Sequence, residues 1–311
     1  LVLHNYMDFD DLKDYVKISY ELTQDGLVIS KGKLPEVSAA PHSEGKINLK
    51  INVPESGKCY LKFIYHLKKE LPLLDEDHIL GFDEIEVSQK DAKCQLAEKW
   101  VEKTVTDSEL QVSEDDTQIH IKGREFAYTI DRRTALFTEM KFAGREYLNH
   151  PMELNIWRAP TDNDMYIKSE WKKAHYDKAY TRAYTTEVVQ GKHGVKITSH
   201  ASVVAETVQK ILDVMITWKI EAAGKIDADI EVTKDDEFPD LPRFGVRMFL
   251  DKKLSAARYF GMGPQESYCD KHQASSHGLY QANVDDLHED YIRPQENGSH
   301  YDCEYVELNN S

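Results

Sequence analysis

Cysteine is scarce and scattered in this 311-residue chain: Cys59, Cys94, Cys269 and Cys303 never form a Cys-x-x-Cys pair, which excludes a zinc ribbon and a dense disulfide scaffold. Free thiols in a reducing, cytoplasmic compartment are the expectation. No apolar run approaches the roughly 20 residues of a membrane-spanning helix. The opening Leu1-Val2-Leu3-His4 has no charged n-region followed by an apolar h-region, so no signal peptide is expected. Positive charge is in deficit, with 39 Lys and Arg against 55 Asp and Glu, a formal net charge of -16 and a pI near 5.3. Such a polyanion repels nucleic acid and anionic membranes, whereas a neutral substrate such as a sugar is compatible with it. The chain also begins without Met inside an apolar strand-like run, as expected of a piece of something longer.

What is present is period-two alternation. Val16 to Leu22, Lys46 to Val53 and Cys59 to Leu67 each place apolar side chains at every second position, the pattern of half-buried strands. Gln24-Asp25-Gly26 and Pro54-Glu55-Ser56-Gly57 supply the φ values that hairpin turns need. Short strands and frequent turns predict an immunoglobulin-like sandwich over residues 1–90. From Gln89 the pattern loosens into charge (Lys90, Asp91, Lys93, Glu98, Lys99, Glu102, Lys103), which reads as a linker over 91–103. Strands resume at Gln118–Lys122, Phe126–Ile130, Val195–Thr198 and Ile226–Val232, with a turn at Asp131–Thr134, giving a large sandwich over 104–311. Lys168 to Ala179 departs from this pattern: Trp171, Ala174 and His175 at helical spacing predict a short surface helix.

Three runs carry more than periodicity. Asn155-Ile156-Trp157-Arg158-Ala159-Pro160-Thr161-Asp162-Asn163-Asp164 breaks an apolar run at a proline and ends in three carboxylate or amide side chains. Gly261-Met262-Gly263-Pro264-Gln265-Glu266-Ser267-Tyr268 follows, and then Tyr291-Ile292-Arg293-Pro294-Gln295-Glu296-Asn297-Gly298. In this order, across about 140 residues, they resemble the signature motifs of the C-terminal β-sandwich of glycoside hydrolase family 2 β-galactosidases, a far more specific signal than any single short pattern. The opening Asn5 to Leu12 is similar, more weakly, to the immunoglobulin-like domain that precedes that sandwich.

The resemblance implies an all-β chain: an immunoglobulin-like β-sandwich, then a large galactose-mutarotase-like antiparallel sandwich that stops short of the family's last strands. It implies that the two catalytic glutamates lie on a (β/α)8 barrel upstream, so no catalytic residue is assigned here and this piece alone is expected to be inactive. The partners implied are that barrel, in the same or a companion chain, a terminal β-galactoside of the lactose type, and further copies in a homo-oligomer. Magnesium and sodium, often used by the family, would be held mainly by the barrel, so no cofactor and no metal ligand is assigned to this piece. In the resembling enzymes a loop after the first motif closes over the sugar, which makes Asp162, Asn163, Asp164, Tyr166 and Lys168 the candidate substrate-site residues. A glycine usually stands where this sequence has Tyr166, which removes a hinge and adds an aromatic face able to stack on a sugar, as Trp171 also could. Trp157, Arg158, Pro160, Gly261, Pro264, Glu266, Tyr268, Pro294, Glu296 and Asn297 are motif residues with structural roles.

The residues also have plainer readings. Asp162-Asn163-Asp164 suits a turn held by side-chain bonds to its own backbone. Glu114-Asp115-Asp116 and Asp235-Asp236-Glu237 read as solvated turns rather than the carboxyl pair, about 5 Å apart, of a retaining glycosidase. Gly261-Met262-Gly263 precedes Pro264 rather than a helix N-terminus and so reads as a tight strand-to-loop turn, not a phosphate loop. His272, His277, His288 and His300 lack metal-ligand spacing. Two other functions stay open: a natural small subunit of a split β-galactosidase, and a free-standing carbohydrate-binding or mutarotase-like module, whose activity the fold alone would not confer.

Overall fold

The computed structural model describes residues 1–101 and 110–310; the expected linker residues Glu102 and Lys103 lie outside them. The protein is all-β, built of antiparallel sheets with a few short helical turns. Two compact units divide it. The first comprises Leu1–Trp100, Ala256–Leu287 and Gly298–Leu308; the second comprises Val101–Ser255, His288–Asn297 and Asn309–Ser311.

In the first unit β1 (Val2–His4), a single turn α1 (Leu12–Tyr15), β2 (Val16–Gln24), β3 (Leu27–Lys33), β4 (Glu44–Lys46), β5 (Cys59–Leu67) and β6 (Ile79–Glu86) follow one another. They form a sheet ordered β3-β2-β5-β6 and a β1-β4 pair. Asp25 (φ 48°) and Gly26 (φ 80°) close the β2–β3 hairpin; positive φ at both positions matches the right-handed twist of the strands, which is why Asp-Gly stands there. Ile18, Leu22, Leu61 and Phe63 alternate inward and pack with Leu3, Val37 and Ile47. The strand expected over Lys46 to Val53 is a correction. Its alternate side chains Ile47, Leu49 and Ile51 do pack on this core, but β4 ends at Lys46 and only Ile47 beyond it exchanges backbone hydrogen bonds with the first strand's segment, both with Leu1 at 3.0 Å. Inside the expected linker a helix, α2 (Gln95–Val101), takes shape, its first amide donating to Asp25 at 3.1 Å.

The second unit begins with a five-stranded meander: β7 (Gln111–Glu114), β8 (Gln118–Lys122), β9 (Phe126–Asp131), β10 (Leu136–Phe142) and β11 (Arg145–Glu146). Next come β12 (Leu148–Asn155) and the helix α3 (Lys168–Lys173). A second meander follows, of β13 (Tyr180–Gln190), β14 (Gly194–Ala205), β15 (Val208–Glu221) and β16 (Ile226–Lys234), and then β17 (Gly245–Leu250), which pairs with β12. One core fills this unit, with Ile119, Ile130, Phe137, Ile197, Val203, Ile216 and Trp218 buried in it. Trp218 meets Phe137 edge to face at 4.9 Å and donates its indole N–H to the Ala135 carbonyl at 2.8 Å, so a large apolar ring is buried with its one polar atom satisfied. The helix expected through Ala179 ends at Lys173: His175 turns left-handed at φ 58°. That reversal delivers Tyr176, 1% exposed, into the core, its hydroxyl donating to the Pro239 carbonyl at 2.7 Å.

The chain then returns to the first unit as β18 (Ala256–Gly263), β19 (Ser276–Asn283) and β20 (Tyr305–Asn309), ordered β19-β18-β20. Gly261 lies within β18, opposite Gly278, and not in the tight turn expected of it. A Cβ at Gly261 would collide with the Cys303 sulfur and fall 2.8 Å from the Cys303 Cα, so close chain approach is what requires glycine there. His277 of β19, 8% exposed, stacks on Tyr60 at 3.9 Å between Glu84, 2.7 Å from its Nδ1, and Asp302, 3.0 Å from its Nε2.

Candidate functional site

The run that follows β12 leaves the sheet at Asn155, whose side chain accepts from the Trp157 amide and donates to the Trp157 carbonyl. Without a strand partner, the backbone beyond must find other acceptors, because buried or half-buried amides left unpaired are costly. The sequence supplies them. Arg158 donates through Nε and Nη2 to the two oxygens of Asp164, at 3.0 and 2.7 Å. Asp164 Oδ2 also accepts from the Thr161 amide at 2.8 Å and the Thr161 hydroxyl at 3.1 Å, closing a one-turn helix over Asp162–Asp164. Burial works against the charge on Asp164, but the Arg158 guanidinium and the Thr161 amide outweigh it and hold the carboxyl below its ordinary range.

The residues thus sort by direction. Asp164 is buried, while Asp162, Asn163, Tyr166 and Lys168 are exposed; Tyr166 stands 82% open. Tyr166 has ordinary negative φ, so the backbone there does not demand the glycine it replaces. Behind the loop Trp171, 3% exposed, meets Trp157 edge to face at 6.4 Å and donates its indole N–H to the Asp240 carbonyl at 2.8 Å. Trp171 is therefore a core anchor, which removes it as a surface for sugar stacking.

The segment 294–297 comes to the same place. Glu296 accepts from the Ala159 amide at 3.1 Å and returns its own amide to the Ala159 carbonyl at 3.0 Å. Gln295 accepts from the Asp162 amide at 3.1 Å, and Arg243 pairs with Glu296 at 2.7 Å. Asn297 donates to the Gln295 carbonyl at 3.4 Å, and Pro294 is exposed. Sequence reasoning passed over Gln295 and Arg243. Gln295 was visible inside the third motif; Arg243, at the end of Pro239-Asp240-Leu241-Pro242, carries no local signal.

The remaining motif residues, Gly261, Pro264, Glu266 and Tyr268, belong to the first unit. Pro264 is exposed, and Glu266, its side chain 6% exposed, pairs with Lys271 and accepts from the Gly298 amide at 3.1 Å. Tyr268, 8% exposed, exchanges backbone bonds with Lys271. The acidic runs are exposed: Glu114 ends β7, Asp115 in the turn beyond it collects the amides of Thr117 and Gln118, which lower its pKa to about 2, and Asp235 caps Glu237. Among the described residues no group of three His, Cys, Asp or Glu is placed to hold a metal ion. Nor is any helix long and apolar enough to cross a membrane.

Known proteins resemble this chain in sequence. Residues 1–88 match the family profile described as "Beta-galactosidase, domain 4". A β-galactosidase of Actinobacillus pleuropneumoniae is 39% identical over 312 residues, covering 100% of this chain and 30% of that protein. Those of Staphylococcus xylosus and Pseudoalteromonas haloplanktis are 29% and 23% identical, over 99% and 97% of this chain, and again over 30% of each relative. The chain therefore spans about a third of the length of these relatives. Residues 122–311, which hold the anchored loop, its 294–297 partner and most of the second unit, match the profile described as "Beta galactosidase small chain", and the chain belongs to that family.

Proposed function

We propose that this chain is the non-catalytic C-terminal part of a β-galactosidase of glycoside hydrolase family 2, cleaving terminal β-galactosides of the lactose type. It supports a (β/α)8 barrel that carries both catalytic carboxyls, and presents the Asp162–Lys168 loop at the mouth of the barrel's site. The observation that carries this reading is the division of one loop into a buried anchor and an exposed polar rim: Asp164 locked to Arg158, with Asp162, Asn163, Tyr166 and Lys168 outward. A loop held this way offers hydrogen-bonding groups and an aromatic face to a neutral sugar without supplying the acid or nucleophile. Magnesium and sodium would be bound by the barrel; the assembled enzyme would be a cytoplasmic homo-oligomer.

A chromogenic β-galactoside assay tests it. The chain alone should show no hydrolysis, and mixing it with the separately produced upstream region should restore it. Activity of the purified chain alone, or no gain on mixing, overturns the reading. The description of the matching family as a small chain favours a second version, in which this is a natural subunit acting in trans. The length of the encoded reading frame decides between the two.

A further inference from the structure

From Ala159 to Asp162 the backbone runs outside every sheet, yet each N–H has an acceptor: Ala159 donates to Glu296, Pro160 has none to give, Thr161 donates to Asp164 and Asp162 donates to Gln295. Two of the three acceptors come from one short segment more than 130 residues away in the chain. That segment is fixed in turn: Arg243 takes the other oxygen of Glu296 at 2.7 Å, and the Glu296 amide returns to the Ala159 carbonyl. The arrangement is a two-point clasp on the loop's backbone, Ala159 before the proline and Asp162 after it. It acts on the loop's backbone, through the Ala159 and Asp162 amides.

Resting on the function proposed above, we infer that Glu296 and Gln295 are positioning residues that set where the Asp162–Lys168 loop meets the sugar. The Arg158–Asp164 pair fixes the loop's internal shape; the clasp fixes its place on the unit. A loop correct in shape but displaced by an ångström loses rate out of proportion to the contacts broken, since catalytic gain depends on orientation, with losses on the order of a hundredfold. Arg243 holds the Glu296 carboxylate in the rotamer that faces Ala159.

The test separates this inference from the reading it rests on. In the chain alone, hydrogen exchange at the Ala159 and Asp162 amides is compared between wild type, Glu296→Ala, Glu296→Gln and Gln295→Ala. Loss of one acceptor should accelerate exchange at its own amide about tenfold, the worth of one such bond. Gln295→Ala should act on Asp162 only, and Glu296→Gln, which keeps a carbonyl acceptor, should restore most protection at Ala159. In the mixture with the upstream region, Glu296→Ala should lower kcat/KM by about a hundredfold, Gln295→Ala less, and Glu296→Gln should recover much of the loss. Unchanged exchange in the alanine variants overturns the clasp. Faster exchange with wild-type kcat and KM overturns the positioning role. If wild type itself gives no activity on mixing, the function proposed above fails while the exchange result still decides the clasp. Gln295→Ala removes a single half-exposed acceptor and serves should Glu296→Ala not fold.

Discussion

Arg158 and Asp164 face each other through two nearly parallel bonds, 3.0 and 2.7 Å long, with side chains 14% and 6% exposed. Bidentate geometry is the strong form of such a pair, and burial makes its half-removal expensive. Asp164→Ala removes the carboxylate that the half-buried Arg158 guanidinium grips with two bonds and should cost about 3–5 kcal/mol, read as a lowered urea midpoint; a double replacement by apolar residues of similar volume should cost much less. Because the folded-state pKa of Asp164 is depressed, its contribution is complete above the ordinary carboxylate value near 3.9 and is lost as pH falls through the folded value. The wild type should therefore lose more stability than Asp164→Asn on acidification below about pH 4. Equal losses would show that the pair does not form.

The buried His277 predicts a pH dependence of the opposite sign. Burial disfavours its charged form, yet Glu84 and Asp302 prevail and hold the imidazole above its ordinary pKa, with Tyr60 stacked on the ring. A group raised in the folded state contributes fully below its unfolded value near 6.5, and the contribution disappears as pH climbs through the folded value. Denaturant midpoints should fall as pH rises above about 6.5, and His277→Gln should flatten that fall. A slope unchanged in the variant would remove His277 as its source.

Gly261→Ala should destabilise by about 1–3 kcal/mol through overpacking, since the new methyl meets both the sulfur and the Cα of Cys303. Gly245→Ala, also in a strand but with nothing within 4 Å of the added carbon, is the control and should stay within about 0.5 kcal/mol of wild type. Thermal unfolding of the two variants side by side distinguishes close approach from a general intolerance of side chains in strands.

Tyr166, 82% exposed, should contribute nothing measurable to folding. Tyr166→Ala is expected to keep the wild-type melting temperature and to raise KM for a galactoside severalfold in the mixture with the upstream region. Stacking worth about 1 kcal/mol corresponds to that factor. An unaltered KM would take Tyr166 off the substrate surface.

Local pattern made much of the fold legible. Cys59–Leu67 and Gln118–Lys122 are strands at the bounds that alternation predicts, because side chains of one strand must divide between core and solvent. The Asp25-Gly26 hairpin was equally legible, since few residues tolerate positive φ twice in succession. Alternation over Lys46 to Val53 located the inward residues Ile47, Leu49 and Ile51 but not the strand's bounds, since burial has a period while ladder bonds depend on another segment. Helical spacing failed at His175, where the helix gives way to the burial of Tyr176.

The sequence by itself determined the all-β architecture, the family and the order of its three motifs, because each is written in residues adjacent along the chain. Only the tertiary structure decided that Asp164 turns inward while its neighbours turn out, that Gly261 is required by Cys303, and that Glu296, Gln295 and Arg243 converge on Ala159 and Asp162. Those outcomes depend on which amide, charge or sulfur a distant segment brings within about 3 Å, and a hydrogen bond or contact at that range leaves no periodicity in the chain that makes it.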